Sequence, residues 1–366
     1  MKNTIDNERA TLWLDSFSGI TLKQKFQLLD YFIEPKNLFE TLNDNLPYVQ
    51  AVVGDTNLSK MQLLKSEEYI DDLYFDLEKQ GVKFISRYSD KYSNLLSTIK
   101  KPPLLLYYKG DINLLNTFSI GIVGTRHCTH YGADCARKFA KELAENDITI
   151  VSGLATGIDT CAHEGALQTG KTISVFAGGI DVIYPSSNTN LAKQIEESGL
   201  IITEHKCGTP TRNYNFPLRS RIITGLCRGI LIVESNYTGG TMHAKEYAIS
   251  ENRDVFCIPG NITSSASNGT NMLIRNQEAV CVLSSKDILN YYYMTPKVNI
   301  EATTKTDKVG GFEGQIIEQL SLEAKNFEDL KENLSVDAKT LMQTLTKMEI
   351  KGLIKKRAGN MYEVKQ

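Results

Sequence analysis

The sequence predicts an α/β fold built on a doubly wound, mostly parallel sheet, with helices before it and a smaller helical module after it. Three observations carry this. From Phe118 onward, short runs rich in β-branched residues alternate with amphipathic stretches. Those runs are continuously apolar, which marks strands covered on both faces. Glycine and small hydroxyl residues collect where the runs end, and in an open α/β sheet that edge forms the ligand crevice.

In order along the chain, residues 8–78 read as helices, among them 22–32 and 63–79. In the second of these, Ile70, Leu73, Tyr74 and Leu77 form one stripe at helical spacing. Val82-Lys83-Phe84-Ile85 reads as a strand. Pro102 and Pro103 force extended backbone before a second strand over 104–108. Strands are then expected over 120–123, 148–151, 172–176, 200–202, 230–233 and 255–258, with helices such as 133–145 and 241–251 between them. Residues 295–311 are polar and aperiodic. Beyond them come helices over 313–320, 326–333 and 335–351, the last with Ser335 as N-cap. A strand pair over 353–357 and 361–364 turns at Ala358-Gly359-Asn360. The expected organisation is a helical domain over 1–80, a Rossmann-like domain over 81–294, a linker over 295–311 and a winged-helix domain over 312–366.

A chain of 366 residues has room for that many units, and 41% apolar composition suits a full-sized core. No run of about 18 apolar residues occurs and the polar amino terminus has no leader pattern, so a cytoplasmic protein without a membrane span is expected. The seven cysteines are scattered without a CxxC pair, which argues against a disulfide framework and against zinc. The net charge of −2 excludes a broad basic field, so any nucleic-acid site must be local, built from a few arginines and backbone amides.

Four loops gather the chemistry. They are Gly121-Ile122-Val123-Gly124-Thr125-Arg126, then Val151-Ser152-Gly153-Leu154-Ala155-Thr156-Gly157-Ile158-Asp159, then Ala177-Gly178-Gly179-Ile180-Asp181 running to Tyr184-Pro185-Ser186, and Val233-Glu234-Ser235-Asn236-Tyr237-Thr238-Gly239-Gly240-Thr241. Glycines let backbone amides approach a ligand and helix starts favour anions, so four loops on one edge point to a phosphate-bearing ligand. A dinucleotide fingerprint would need GxGxxG and a carboxylate after the second strand. Here the spacing is Gly121, Gly124, Gly132, and the second strand ends in Ser152-Gly153. The Gly-Lys-Ser/Thr phosphate loop is absent too, and no cofactor is expected.

The segment Arg212-Asn213-Tyr214-Asn215-Phe216-Pro217-Leu218-Arg219-Ser220-Arg221 places arginines and aromatics at a helix start, with Pro217 in its first turn. Arginine on phosphate with an aromatic face on a base is how proteins grip unpaired strands. The bland alternative is a solvated basic helix start with Phe216 in the core. The five histidines are dispersed; His163 and Glu164 follow Asp159 without a paired nucleophile, so they read as structural. No catalytic or metal-binding residue is expected.

Taken together, these motifs resemble the DNA-processing protein A (DprA/Smf) family over residues 80–290. They include Phe216-Pro217-Leu218-Arg219-Ser220-Arg221-Ile222-Ile223-Thr224-Gly225 and Val255-Phe256-Cys257-Ile258-Pro259-Gly260. The front of the chain looks like the family's sterile-alpha-motif-like or helix-hairpin-helix region and the end like its winged helix. The resemblance implies a dimeric single-stranded-DNA-binding protein that protects incoming strands and helps load RecA in natural transformation, and not an enzyme. It carries the family's DNA pocket onto Arg126, Phe216, Arg219 and Arg221. Ser186 stands where some members have lysine, and Ser220 where asparagine is common. The expected DNA-binding set is Gly124, Thr125, Arg126, Ser152, Gly153, Thr156, Ser186, Arg212, Phe216, Arg219, Arg221, Thr238, Gly239, Gly240 and Thr241. The alternative is a Rossmann-like nucleotide phosphoribohydrolase, in which Thr238-Gly239-Gly240-Thr241 would hold phosphate while Arg219 and Glu246 promote cleavage of an N-glycosidic bond.

Overall fold

Trp13, the single tryptophan, is where the first helices close on one another. In the computed structural model, which describes residues 5–297, 311–357 and 360–364, it is fully buried. Its ring meets Phe17 and Phe39 edge-on at 5.2 and 5.0 Å, and its Nε1–H donates to the Leu64 carbonyl at 2.9 Å. Around it pack α1 (Asn7–Ser16), α2 (Leu22–Phe32), α3 (Pro35–Thr41), α4 (Leu46–Val53), α5 (Asp55–Leu63) and α6 (Glu67–Lys79). The helix expected over 63–79 divides at Leu63. Ser66 accepts from Tyr69 N–H and starts α6 there, a cap that the apolar stripe alone does not reveal.

The helices sit against β1 (Lys83–Ser86) and β2 (Leu105–Gly110), with the short α7 (Asn94–Ser97) between the strands. Tyr107 of β2 donates its hydroxyl to Asp15 of α1 at 2.9 Å, and Asp15 also pairs with the largely buried Lys25. The front helices and the sheet therefore belong to one compact unit, residues 1–298, and residues 299–366 form a second.

Next come β3 (Ser119–Val123), α8 (His130–Glu145), β4 (Thr149–Ser152), α9 (Ile158–Ala166), β5 (Thr172–Val175), α10 (Thr189–Ser198), β6 (Leu200–Thr203), α11 (Asn215–Leu226) and β7 (Gly229–Ile232). All five strands are buried along their whole length, as continuous apolar runs require. Then follow α12 (Thr241–Ser250), β8 (Asp254–Cys257), α13 (Asn268–Arg275), the two-residue β9 (Val280–Cys281) and α14 (Ser285–Tyr291). The sheet runs β1-β2-β6-β5-β4-β3-β7-β8-β9, parallel from β6 to β9 and antiparallel where β2 joins β1 and β6. Val151, Ile173, Ile202, Ile230 and Ile232 form one apolar cluster with Ile222, Ile223 and Leu226 of α11 and Ala244 and Ala248 of α12. Leu105, Tyr107 and Ile201 form another with Ala192 and Ile195 of α10.

The chain steps outward from β3 through β4, β5 and β6, then returns through α11 to place β7 on β3's other side. Loops leaving β3 and β7 thus diverge, and at such a switch point an open α/β sheet opens a crevice.

The second unit holds α15 (Gly311–Leu322), β10 (Lys325–Asn326), α16 (Phe327–Leu334), α17 (Ala338–Ile350), β11 (Ile354–Arg357) and β12 (Met361–Val364). Its antiparallel sheet runs β10-β12-β11, and Ile316, Leu320, Leu330, Leu341, Leu345 and Met348 fill its core. The N-cap of α17 is Asp337, whose carboxylate accepts from Lys339 and Thr340 N–H. Ser335 instead ends α16 in the left-handed region at φ 49°, where it cannot begin the next helix. Most of the expected linker (298–310) and the Ala358-Gly359 part of the hairpin turn lie outside the described residues. No described helix is long and apolar enough to cross a membrane.

Replacing Trp13 by alanine is expected to destabilise the first unit by about 3–5 kcal/mol through the cavity it leaves. A urea titration of the full chain followed by far-UV circular dichroism reads this as a lower midpoint, and an unchanged midpoint would contradict the packing described.

Candidate nucleic-acid interface

The site forms where four chain segments meet. The loop after β3 supplies Gly124, Thr125, Arg126 and His127, and the loop after β4 supplies Ala155 and Asp159. The first turns of α11 supply Phe216, Pro217, Arg219 and Ser220, and the loop after β7 supplies Ser235, Asn236, Gly239, Gly240, Thr241 and His243. Together they enclose a cleft of about 330 Å³.

Arg219 is its floor. The guanidinium lies flat on Gly153, where even a Cβ would come within 2.1 Å of it, so only glycine fits. One amino group donates to the Gly153 carbonyl at 2.6 Å and the other faces Asp159 at 3.6 Å. Asp159 accepts from the Gly153 N–H in turn, at 3.2 Å. Both side chains are almost wholly buried. Burial lifts the Asp159 carboxyl above its ordinary range against the pull of Arg219, and burial lowers the Arg219 pKa against the pull of Asp159. The Nε–H of Arg219 has no acceptor among the described residues, a buried donor left over in the wall of the cleft.

Above this floor stands Phe216. Arg126 lies over its ring at 4.4 Å and Arg219 against it at 5.6 Å, so cations approach the ring from both arginines. Tyr184 meets the same ring at 5.7 Å, across a small recess shared with Phe176, Ala177 and Thr211. Arg126 is exposed and makes no ion pair among the described residues. The loop that carries it is fixed by Glu234, a buried carboxylate that accepts from the Thr129 N–H and hydroxyl, while the Glu234 carbonyl accepts from Thr125 N–H at 2.8 Å. Gly132 has no room for a side chain because that carboxylate lies against it.

On the facing wall α12 begins at Thr241 with Gly240 in the cap position and no side-chain cap. Its Met242 and His243 amides turn back to the Gly239 and Gly240 carbonyls, and the positive end of its dipole lies at the cleft.

Of the expected residues, the structure brings Gly124, Thr125, Arg126, Phe216, Arg219, Gly239, Gly240 and Thr241 to the cleft. Gly153 supports it from beneath Arg219. The others stand apart from it. Ser152 is buried and donates to the Ile122 carbonyl, tying β4 to β3. Thr156, Ser186, Arg212 and Thr238 are exposed but do not line the cleft. Arg221 is committed elsewhere, donating to the Lys101 carbonyl at 2.7 Å and pairing with Glu204. The physical reason is helical geometry, since residues two apart on a helix point to nearly opposite sides. Glu246 is exposed beside His243 at 3.5 Å and does not line the cleft. The expected set omits His127, Ala155, Asp159, Pro217, Ser220, Ser235, Asn236 and His243, which also line the cleft. All lie within four residues of a named one, so adjacency at the loop ends was the available signal. Among the described residues no three His, Cys, Asp or Glu side chains are grouped to hold a metal ion.

His163 lies beneath the site, fully buried on α9. Thr172 Oγ1 stands 2.7 Å from its Nδ1 and donates its own proton to the Ile150 carbonyl, so Nδ1 carries the hydrogen and Nε2 is the bare nitrogen. Burial, helped by the charge of Arg219, lowers its pKa to about 3.

The family described as DNA recombination-mediator protein A matches residues 83–293, more than half of the chain. DNA processing protein DprA of Streptococcus pneumoniae is 38% identical over 275 residues, covering 74% of this chain and 94% of that protein. DprA of Bacillus subtilis is 35% identical over 266 residues, covering 70% of this chain and 87% of its own. The crystal structure of the Streptococcus pneumoniae protein superposes with a TM-score of 0.65 at 36% identity, over 78% of this chain and 98% of that one. A structure of the Helicobacter pylori protein, described for its single-stranded DNA binding mode, gives 0.54 at 29% identity, over 58% of this chain and 95% of that one.

Two outcomes test this geometry. Arg219→Ala strands the Asp159 carboxylate and is expected to cost about 3–5 kcal/mol of stability, read as a lower urea midpoint. An Arg219→Ala protein as stable as wild type would refute the buried pair. His163 is neutral when folded but takes a proton below its ordinary pKa of 6.5 when unfolded. Its contribution is therefore intact above pH 6.5 and is lost as pH falls toward 3, amounting to about 2 kcal/mol by pH 5. His163→Gln should flatten the stability profile between pH 7 and 5 by that amount.

Proposed function

The chain belongs to the DNA recombination-mediator protein A family, and from that premise we propose that the cleft binds single-stranded DNA. The observation that carries the reading is Arg126 stacked at 4.4 Å on Phe216 at the mouth of an anion-receiving cleft. Arg126 takes a phosphate and Phe216 offers a base a stacking surface, the pairing used for unpaired strands. The positive end of the α12 dipole at the same cleft favours a phosphate there.

This is a handling role rather than catalysis. The hydrolase alternative needs Arg219 and a free carboxylate at the cleft. Arg219 is bound to Asp159, and Glu246 lies outside the cleft. Each protomer offers few ionic contacts, so tight binding of a long strand calls for two linked sites. A homodimer that protects incoming strands and passes them to RecA is therefore part of the proposal. So is a winged-helix reading of the second unit, supported by three helices with a small antiparallel sheet whose first strand lies between α15 and α16 and whose other two follow α17.

Binding of a fluorescent 40-nucleotide strand, against the matching duplex, tests the reading. Wild type should prefer the single strand. Arg126→Ala is expected to weaken it about tenfold and to lower the salt dependence by about 0.7 log units for each phosphate it no longer neutralises. Phe216→Ala should weaken it by about 1–3 kcal/mol with the salt dependence unchanged. Arg221→Ala should reduce stability and leave the affinity of the folded protein within about twofold, because its guanidinium serves Glu204. Equal binding to strand and duplex, or affinity blind to Arg126, would overturn the reading.

A further inference from the structure

Two histidines line the cleft, and the contacts assigned above use neither. His127 directly follows Arg126 in the loop after β3 and is exposed. Its backbone N–H donates to Thr125 Oγ1 at 3.3 Å, and the Thr125 N–H is held in turn by the Glu234 carbonyl, so the loop fixes where the ring starts. His243 lies in the first turn of α12, on the facing wall, and its side chain is half-exposed. Its Nδ1 stands 3.5 Å from a Glu246 carboxylate oxygen, which leaves Nε2 for another partner. Among the described residues the His127 ring has no hydrogen-bond partner and the His243 ring has only Glu246. The other three histidines do not line the cleft.

Charged groups surround the two rings from every wall. Arg126 is next to His127, and Glu234, which holds the same loop, is spent on Thr129. Asp159 of α9 and Arg219 of α11 face each other across the floor. Glu246 lies outside the cleft. Within the lining, two arginines against one aspartate leave a surplus of one positive charge while both imidazoles are neutral. Two imidazolium ions raise that surplus to three.

We propose that His127 and His243 bind phosphodiesters of the strand as imidazolium ions, so that strand binding takes up protons and strengthens as pH falls from about 8 to about 6. The proposal rests on the strand-binding reading of the cleft. Histidine is the side chain whose charge changes in this range, whereas a phosphodiester keeps its negative charge throughout. Each protonated ring adds a charge-assisted hydrogen bond to a phosphate oxygen, about twice as strong as a neutral one. One ring stands on the loop after β3 and the other on the helix that follows β7, on the facing wall. They therefore reach the strand from two sides and do not compete for one phosphate.

The coupling is reciprocal. Bound strand favours the protonated rings by the same factor by which protonation favours the strand.

The test uses the full chain and a fluorescent 40-nucleotide strand at pH 8, 7 and 6, at constant ionic strength. Wild type is expected to bind about tenfold more tightly at pH 6 than at pH 8. Its salt dependence should steepen by about 0.7 log units for each ring protonated. His127→Gln and His243→Gln should each lose part of that gain, and the double variant should bind with the same affinity, within about twofold, at both pH values. A dependence arising from Asp159 or from the buried His163 survives in the double variant, so an undiminished gain there refutes the assignment. Titration calorimetry of wild type at pH 6.5, in two buffers of different ionisation enthalpy, reads the proton uptake directly and does not depend on how a variant folds. Absent uptake, or affinity indifferent to pH, would overturn the proposal as well. Wild type that binds no strand at any pH sinks the function reading and this one together, whereas strand binding that ignores pH sinks this proposal alone.

Discussion

The cleft depends on one contact, the Arg219 guanidinium laid flat on Gly153 and held by Asp159. Two buried charges are costly to desolvate, and they persist here because each remaining polar position is nearly satisfied by the other or by Gly153. Three elements are fixed as a result. Gly153 directly follows β4, Asp159 lies in the first turn of α9 and Arg219 sits in the first turns of α11, so the end of β4 and the starts of both helices are tied together. Phe216 lies about one turn before Arg219 on α11 and inherits its position, and Arg126 stacks on Phe216. A side chain at position 153 would lift Arg219 and with it the whole stack.

This explains which parts of the site the sequence makes legible. Uninterrupted apolar strands ended by glycine-rich loops specify a sheet covered on both faces with a crevice at one edge, and the structure places the cleft there. Side-chain direction is another matter. Arg219 and Arg221 look equivalent as neighbours in a basic segment, but a helix sends them to opposite sides, one to the cleft and one to Glu204. The 3.6-residue period already contained that distinction, so a stricter use of it separates floor from scaffold. The two-residue strands β9 and β10 had no signal to offer, since pairing that short comes from their neighbours rather than from local propensity.

The near-neutral charge of the chain finds its counterpart in how the charges are paired. Arg219, Arg221, Arg9 and Arg137 all face carboxylates, and the loop carboxylate of Glu234 is used on Thr129. Arg126 is left exposed at the cleft that the start of α12 also lines. The site is positive by subtraction: it is a place where the acids are occupied, not a place where bases abound. Such a site binds phosphate at short range and gives little long-range steering, because the field of paired charges cancels beyond a Debye length of about 8 Å in physiological salt.

That local character bears on what the cleft can hold. A free mononucleotide would need its base enclosed to bind well, because most of a small ligand's affinity comes from buried surface. Here the ring of Phe216 stands at the boundary between the cleft and a second small recess, with the exposed rings of Tyr184 and Tyr214 near the same helix start. A base on Phe216 therefore keeps its edges and both flanking phosphodiester linkages accessible, which suits a nucleotide within a continuing chain. Duplex fits this arrangement poorly, because stacking on Phe216 requires a base already out of its pair and unstacking costs a few kcal/mol. The proposed preference for single strands thus follows from the same geometry that places Phe216 at the boundary of the cleft beside Arg126.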